Sequence, residues 1–172
     1  MVTIISGTNR PGNSTKIFAD KYFELIKERG VEVQLFSLEE LPDDFGLKNI
    51  YDYHHAGFYN LVKKYIIPAD KLLVLIPEYN SSIPGVFKVF IDAVKPELFA
   101  GKIAALVGIS SGRSGNIRGI DQLTSIFHYL NMEVLPYKLP ISRIEELLNE
   151  KRELLDEPTL RTIRYQIDKL LK

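Results

Sequence analysis

Near its start the chain reads Ile4-Ile5-Ser6-Gly7-Thr8-Asn9-Arg10-Pro11-Gly12-Asn13-Ser14-Thr15. This stretch begins as an apolar strand, passes through a turn rich in glycine and hydroxyl groups, and leads into a helical pattern. The first N–H groups of a helix lack intrahelical acceptors and the helix dipole is positive there, so a phosphate is favoured at this end. Further donors that suit a phosphate come from Thr8, Arg10, Asn13, Ser14 and Thr15.

The kind of phosphate follows from what the turn lacks. Gly7 and Gly12 have the spacing of a P-loop, but Asn13 stands where that motif needs its lysine, which argues against a triphosphatase. Asn9 replaces the second glycine of the dinucleotide fingerprint G-x-G-x-x-G. A terminal monophosphate is the ligand that fits. The alternative is a solvated turn in which Asn13 or Ser14 only caps the helix.

The composition limits the classes of partner. The 172 residues fit one domain over residues 1–172, and 22 basic side chains balance 22 acidic ones, so nucleic acid and anionic membranes are not expected partners. With no cysteine, disulfides and thiolate chemistry are excluded. No apolar run approaches the roughly 20 residues of a membrane-spanning helix. We expect a cytoplasmic protein whose partners are small molecules or proteins.

Apolar runs alternate with amphipathic stretches along the chain. The predicted strands are residues 2–6, 31–36, 71–76, 103–110 and 133–135. The predicted helices are residues 14–29, part of 51–65, 84–94 and 118–130, and the tail adds amphipathic pieces at 144–155 and 159–171, separated by Pro158. Such alternation predicts an α/β three-layer sandwich: a five-stranded parallel sheet in the flavodoxin-like order 2-1-3-4-5, with helices on both faces.

Two further loops are expected beside the first, because this strand order places ligands at the carboxyl ends of strands one, three and four. The second loop reads Pro77-Glu78-Tyr79-Asn80-Ser81-Ser82-Ile83-Pro84-Gly85. Its prolines stiffen the backbone, Tyr79 can cover the face of a flat ring, and Asn80 and Ser82 can bind the ring edge. The alternative is an ordinary loop that caps helix three. The third loop is Ser110-Ser111-Gly112-Arg113-Ser114-Gly115-Asn116, whose small residues allow a ligand to approach the backbone.

The loops together resemble the NADPH-dependent FMN reductase family. The resemblance extends over residues 1 to about 136. It rests on Gly7-Thr8-Asn9-Arg10 with Asn13-Ser14-Thr15, and on the more specific Pro77-Glu78-Tyr79-Asn80-x-Ser82-Ile83-Pro84-Gly85-x-x-Lys88-x-x-Ile91-Asp92. The chain departs from the family's common sequence at Val89-Phe90, where Asn-Ala is usual, and at Gly115-Asn116, where Gly-Gly is usual.

The resemblance implies an FMN cofactor that passes hydride from NADPH or NADH to free flavin, a quinone or a similar two-electron acceptor. It implies that the FMN phosphate is held by Thr8, Arg10, Asn13, Ser14 and Thr15, that the isoalloxazine ring is lined by Pro77, Glu78, Tyr79 and Asn80, and that its other edge is bordered by Ser110, Ser111 and Gly112. No side chain is expected to act as a general acid or base, and no metal is expected.

Further expectations concern two arginines, the oligomeric state and two alternative functions. Arg113 and Arg118 are either solvated or contact the phosphates of a nicotinamide cofactor. The resemblance also implies a homodimer through helices two and three, and the apolar run Val86-Phe87-x-Val89-Phe90 fits a buried helix–helix contact. Two other functions remain open: a flavodoxin-type electron carrier, although its usual acidic face is not supported by the balanced charge, and a non-catalytic FMN-binding module.

Overall fold

The computed structural model describes residues 1–51 and 55–172. Its strands are β1 (Val2–Ser6), β2 (Val33–Ser37), β3 (Lys71–Pro77), β4 (Ile103–Ile109), β5 (Glu133–Val134) and β6 (Leu139–Ile141). Its helices are α1 (Ser14–Lys27), α2 (Ala56–Leu61), α3 (Gly85–Ala93), α4 (Ile117–Tyr129) and α5 (Glu157–Leu170). A π-helical turn, Val62–Ile66, continues α2 toward β3.

The sheet has the strand order β2-β1-β3-β4-β5, and all of its pairings are parallel. This arrangement confirms the predicted flavodoxin-like fold. Ser6 pairs with Leu75, and Pro77 pairs with Ile109, so β1, β3 and β4 end at the same edge of the sheet. The three loops predicted from the sequence therefore begin side by side.

The last strand is divided in two. Sequence analysis predicts one strand at residues 133–135, whereas β5 pairs with the start of β4 and β6 pairs with its end. Pro136 has no N–H with which to continue the ladder, so the chain leaves the sheet between the two segments. The second segment, Leu139–Ile141, was missed because it is short and contains Pro140. It supports the third loop from the side.

Both faces of the sheet are covered by helices, which explains why its central strands are apolar throughout. In β3, Leu73 and Leu75 pack into the layer under α1 and α5, while Leu72, Val74 and Ile76 pack into the opposite layer. The opposite layer also holds Phe87 and Phe90 of α3, each 1% exposed. The protein's own core therefore buries these two phenylalanines, and the homodimer stays a prediction.

The tail differs from its predicted form. Residues 144–155 read as an amphipathic piece, but only Ile144–Leu147 form a short 3-10 turn, and the chain then folds back so that Leu148 pairs with Leu154. Pro158 does not separate two pieces; it lies in the first turn of α5, where its missing N–H is tolerated. The Asp156 side chain caps this helix by accepting a hydrogen bond from the N–H of Thr159.

A buried polar network fixes α1 and α5 against β4. The Tyr22 hydroxyl donates to Oε1 of Gln166 at 2.6 Å, and Nε2 of Gln166 donates to the carbonyl of Leu106 at 3.0 Å. Burial raises the pKa of Tyr22 well above its usual value, and nearby Tyr137 raises it further. Because α1 carries the first loop at its N-terminus, this network also positions that loop.

The segment before β3 is rich in aromatic residues. Phe58 on α2 is buried in the core, whereas Tyr51 is exposed. Across residues 1–51 and 55–172, none of the helices combines the length and apolar character that crossing a membrane requires.

Candidate functional site

A cavity of about 480 Å³ lies at the carboxyl ends of β1, β3 and β4. All three loops contribute to its wall, as the strand order predicts. The first loop supplies Arg10, Gly12, Asn13, Ser14 and Thr15, the second supplies Pro77, Glu78 and Tyr79, and the third supplies Ser110 and Ser111. The tail, which sequence analysis did not place at this site, supplies Ile144, Glu145 and Arg152.

The N-terminus of α1 forms one end of the cavity. Asn13 caps the helix: its Oδ1 accepts from the N–H of Lys16 at 2.9 Å, while its Nδ2 donates to the carbonyl of Arg10 at 2.8 Å. The N–H groups of Ser14 and Thr15 belong to the first turn, where no intrahelical acceptor exists. Asn13 therefore shapes the loop, and the first-turn N–H groups lie beside the cavity with the exposed Arg10.

Thr8 lies beneath the first loop. Its side chain is fully buried and is not part of the cavity wall. Its hydroxyl accepts from the N–H of Arg10 at 3.2 Å and is 2.8 Å from the Tyr79 hydroxyl. The structure thus gives Thr8 the role of linking the first loop to the second.

The second loop ends in a tight hairpin turn. Tyr79 and Ser82 exchange two backbone hydrogen bonds of 3.1 Å, and the residues between them, Asn80 and Ser81, have φ values of 52° and 64°. Two successive positive φ values define a type I′ turn. Neither central residue is glycine, the residue that most often marks such a turn, so the type I′ turn was not predicted from the sequence.

The turn directs the polar side chains of the second loop to different places. Asn80 lines an adjoining cavity of about 560 Å³, together with Gly112 and Arg113 of the third loop. The Ser82 hydroxyl instead donates to Oε1 of Gln122 on α4 at 2.7 Å. The structure therefore places Ser82 against α4 and outside the walls of both cavities, unlike Asn80.

Glu78 ties the second loop to the third. Its carboxylate accepts a hydrogen bond from the Ser114 hydroxyl. This bond, with others from the Ser110 hydroxyl and the Asn116 N–H and with the charge of Arg118, lowers the pKa of Glu78 against the opposing effect of burial. Its backbone N–H donates to the carbonyl of Ile109 at 2.9 Å. Glu78 is therefore a fixed anion at neutral pH.

Asn116 is a structural residue that sequence analysis did not identify. It is 1% exposed, and its Nδ2 donates to the carbonyls of Ile76 and Pro77 at 3.1 and 3.0 Å. Its Oδ1 accepts from the N–H of Gly119 and caps α4. Its φ is 54°, a conformation that asparagine adopts more readily than most residues. An asparagine just before a helical pattern was the available signal.

Gly115 shows how the third loop meets the split strand. It has a φ of 58°, and a Cβ added there would lie 2.7 Å from the Cβ of Pro140. Only glycine fits this position without displacing β6. The Gly115-Asn116 pair thus meets the left-handed geometry at a place where the family commonly has two glycines.

The two arginines of the third loop region remain exposed. Nη1 of Arg118 donates to the Ser81 hydroxyl at 2.9 Å, so this side chain braces the tip of the second loop. Arg113 lines the adjoining cavity without contributing to the first.

The tail is attached directly to the third loop. The N–H of Ser110 donates to the carbonyl of Ile141 at 3.0 Å, and the carbonyl of Gly112 accepts from the N–H of Arg143 at 2.9 Å. These bonds hold Ile144 and Glu145 at the cavity wall. No motif marked these residues, because they lie beyond the segment that carries the family resemblance.

The donors along the cavity fit a phosphate joined to a flat ring. Helical N–H groups and Arg10 lie at one end, and the Tyr79 ring and the apolar side chains of Pro77 and Ile109 lie farther along the wall. Among residues 1–51 and 55–172, no cluster of three or more histidine, aspartate or glutamate side chains could hold a metal ion.

Comparison with known proteins identifies the family. Residues 1–146 match the NADPH-dependent FMN reductase family. An NAD(P)H-dependent FMN reductase from Pseudomonas aeruginosa is 31% identical over 96% of this chain and 90% of its own length. A 2-hydroxy-1,4-benzoquinone reductase from Burkholderia sp. is 30% identical over 62% of this chain and 61% of its own length.

A solved structure supports the fold. The flavoenzyme FerB, an NAD(P)H:(acceptor) oxidoreductase from Paracoccus denitrificans, superimposes with a TM-score of 0.77 and 21% identity, covering 99% of this chain and 94% of that chain. Together with the match over residues 1–146, the sheet order and the loops at its edge lead to one assignment. The chain belongs to the NADPH-dependent FMN reductase family.

Proposed function

We propose that the 480 Å³ cavity binds FMN and that the protein transfers hydride from NAD(P)H through FMN to free flavin, a quinone or a similar two-electron acceptor. Family membership and the name of the Pseudomonas relative support this activity. The structural observation that carries the proposal is one continuous cavity running from the N-terminus of α1 to Tyr79 and Ser110. A phosphate-binding end and a ring-binding wall are thereby combined.

The phosphate end is assigned to the first loop. Arg10 and the first-turn N–H groups of Ser14 and Thr15 are the direct donors, since they lie along the cavity. Asn13 and Thr8 act by holding the loop: the Asn13 side chain bonds to Arg10 and Lys16, and the Thr8 hydroxyl bonds to Arg10 and to Tyr79 of the second loop. This division refines the expectation that all five residues hold the phosphate.

The ring end is assigned to the second and third loops. Tyr79 supplies an aromatic surface whose hydroxyl is fixed by Thr8, and Pro77 supplies a rigid apolar edge. Ser110, Ser111 and Gly112 border the other side, and the carboxylate of Glu78 keeps these loops together. Bound FMN supplies the two-electron chemistry, while these residues hold the ring and leave one face accessible.

Two features concern the substrates. Arg113 lines the cavity that adjoins the ring end, and a guanidinium there can pair with a phosphate of NADPH. The Burkholderia relative, named as a benzoquinone reductase, supports a quinone as an acceptor.

The proposal is tested by spectroscopy under anaerobic conditions. The purified protein is loaded with FMN, separated from free flavin and mixed with NADPH or NADH. We expect the visible flavin band to bleach, and to return when a benzoquinone is added, with repeated turnover at excess of both substrates. A band that persists with both nucleotides would overturn the oxidoreductase assignment and favour the carrier or the binding module.

Some expectations from the sequence stay predictions. These are a single domain over residues 1–172, a cytoplasmic location and a homodimer. Sedimentation of the FMN-loaded protein at micromolar concentration tests the homodimer, and a monomeric mass contradicts it.

A further inference from the structure

The tail brings the acidic side chain of Glu145 and the basic side chain of Arg152 to the N-terminus of α1. The Ser14 hydroxyl donates to Oε1 of Glu145 at 3.0 Å, and Nη2 of Arg152 donates to the same hydroxyl at 2.7 Å. Nη1 of Arg152 lies 3.3 Å from Oε2 of Glu145. All three residues line the 480 Å³ cavity beside Arg10. A closed triangle of polar contacts thus covers the phosphate end.

The turn that carries Arg152 is held in place. Its N–H donates to the carbonyl of Asn149 at 2.8 Å, and the N–H of Asn149 donates to the carbonyl of Glu153 at 3.1 Å. Leu154, two residues further on, is 1% exposed and anchors the turn in the core. The φ of Arg152 is 60°, so the backbone adopts an uncommon conformation at the residue that reaches the cavity.

The contacts of Glu145 are those that a phosphate makes. A carboxylate and a phosphate are both anions that accept from hydroxyl and guanidinium groups, and arginine binds either with two parallel hydrogen bonds. Glu78, another carboxylate on the wall, is already tied to Ser114. A phosphate that enters the cavity therefore uses the same donors as Glu145, namely the Ser14 hydroxyl and the Arg152 guanidinium.

We propose that Arg152 binds the phosphate of FMN, and that the Glu145 carboxylate competes with this phosphate for Ser14 and Arg152. The inference rests on the proposed function. It adds a ligand from beyond residue 146, where the family match ends. It also gives the tail a role in setting the affinity for phosphorylated flavin.

The alternative is a surface ion pair that only fastens the tail. The side chains of Arg152 and Glu145 are 52% and 53% exposed, and pairs so exposed contribute little to stability. A fastening role predicts that removing the guanidinium changes the binding of FMN and riboflavin equally. A phosphate ligand predicts that only FMN binding changes, because riboflavin lacks the phosphate.

The first test compares Arg152→Asn and Arg152→Lys. Asparagine tolerates the positive φ at this position, so the substitution removes the charge without backbone strain. Dissociation constants for FMN and riboflavin are measured by quenching of flavin fluorescence. We expect Arg152→Asn to weaken FMN binding about tenfold or more and Arg152→Lys to weaken it less. Riboflavin binding stays within about twofold in both.

A matched control is Arg164→Asn. Arg164 also pairs with a glutamate, Glu157, at 3.2 Å, but it lies on α5 and outside the cavity wall. Its substitution leaves the affinity for both flavins unchanged. Thermal denaturation of each variant without flavin shows whether the fold is intact.

The second test is Glu145→Gln, which keeps the size of the side chain and removes its charge. Relief of the repulsion between the carboxylate and the phosphate dianion strengthens FMN binding by about threefold, with riboflavin unchanged. Unchanged or weaker FMN binding in this variant overturns the competition between Glu145 and the phosphate.

The outcomes separate this inference from the function on which it rests. If the wild-type protein binds FMN no better than riboflavin, the assigned phosphate end is wrong and both fail. If the wild-type protein prefers FMN and Arg152→Asn retains that preference in full, only the role of Arg152 fails. A selective loss of FMN affinity in Arg152→Asn supports both.

Discussion

The hydroxyl of Ser114 donates a hydrogen bond to the carboxylate of Glu78, and this contact joins the third loop to the second at the rim of the cavity. It is the largest cause of the lowered pKa of Glu78. A group whose pKa is lower in the folded protein stabilises the fold above its ordinary pKa, and loses that contribution as the pH falls through the folded value.

We therefore expect Ser114→Ala to lower the free energy of unfolding by about 1.5 kcal/mol at pH 7. The difference between variant and wild type shrinks below pH 4.5, the ordinary value for Glu78, as the carboxylate becomes protonated. Urea denaturation at several pH values measures this. Ser125→Ala, on the exposed side of α4, is the control and changes little at any pH. If the loss of stability in Ser114→Ala does not change with pH, the hydrogen bond to the Glu78 carboxylate is not its cause.

Two substitutions of Asn116 are expected to lower the free energy of unfolding by different amounts. Asn116→Gly keeps the backbone conformation but loses the bonds to the carbonyls of Ile76 and Pro77 and the bond from the N–H of Gly119, which we expect to cost about 2 kcal/mol together. Asn116→Ala loses the same bonds and adds about 1 kcal/mol of strain at positive φ. Denaturant titration of the two variants gives the order wild type, glycine, alanine. Equal stability of the two variants would show that the positive φ is not maintained.

Asn131 provides the matched control for Asn116. It lies just past the other end of α4 with a φ of 57°, and its side chain forms no hydrogen bond with the residues that the structure describes. Asn131→Gly is therefore expected to be neutral or to stabilise by about 0.5 kcal/mol. A loss comparable with that of Asn116→Gly would mean that the side-chain bonds of Asn116 contribute little.

Substitutions of Tyr79 are expected to change flavin binding in a different way from substitutions of Arg152. Tyr79→Ala removes the aromatic wall, so FMN and riboflavin both bind about tenfold more weakly, because they share the ring. Tyr79→Phe keeps the wall and removes the bond to Thr8, lowering stability by about 1 kcal/mol with little effect on flavin affinity. Fluorescence titration and urea denaturation measure the two effects. Unchanged riboflavin binding by Tyr79→Ala would exclude Tyr79 from the ring wall.

The tail is expected to be essential for the fold. Ile163 on α5 is fully buried in the layer with α1, and Ile163→Ala should lower the free energy of unfolding by about 3 kcal/mol. Ile117→Ala is the control, because Ile117 on α4 is 52% exposed. We expect it to change the free energy of unfolding by about 0.5 kcal/mol or less. Similar losses at both positions would contradict the packing of α5.

The sheet could be predicted because its signals are local. Continuous apolar runs such as residues 71–76 mark strands buried on both faces, and the cap at Asn13 marks the start of a helix. The predicted strand order and the three loops at one edge agree with the structure.

The site was only partly predictable because its remaining contacts join distant segments. Ser82 faces α4 through a bond to Gln122, and Thr8 lies under its loop through a bond to Tyr79. Nothing within either loop specifies these partners. Ser81 and Arg152 also have positive φ values although neither is glycine, so the sequence does not reveal the turn of the second loop or the course of the tail.

The turn that presents Arg152 ends before α5 begins, and β6 ends before Glu145. Residues 142–155 can therefore be exchanged as a cassette without altering any strand of the sheet. Under the role proposed for Arg152, exchanging this segment would change how long FMN stays bound, because the segment carries Arg152 and Glu145. The residues assigned to the ring, which lie in the second and third loops, would stay the same.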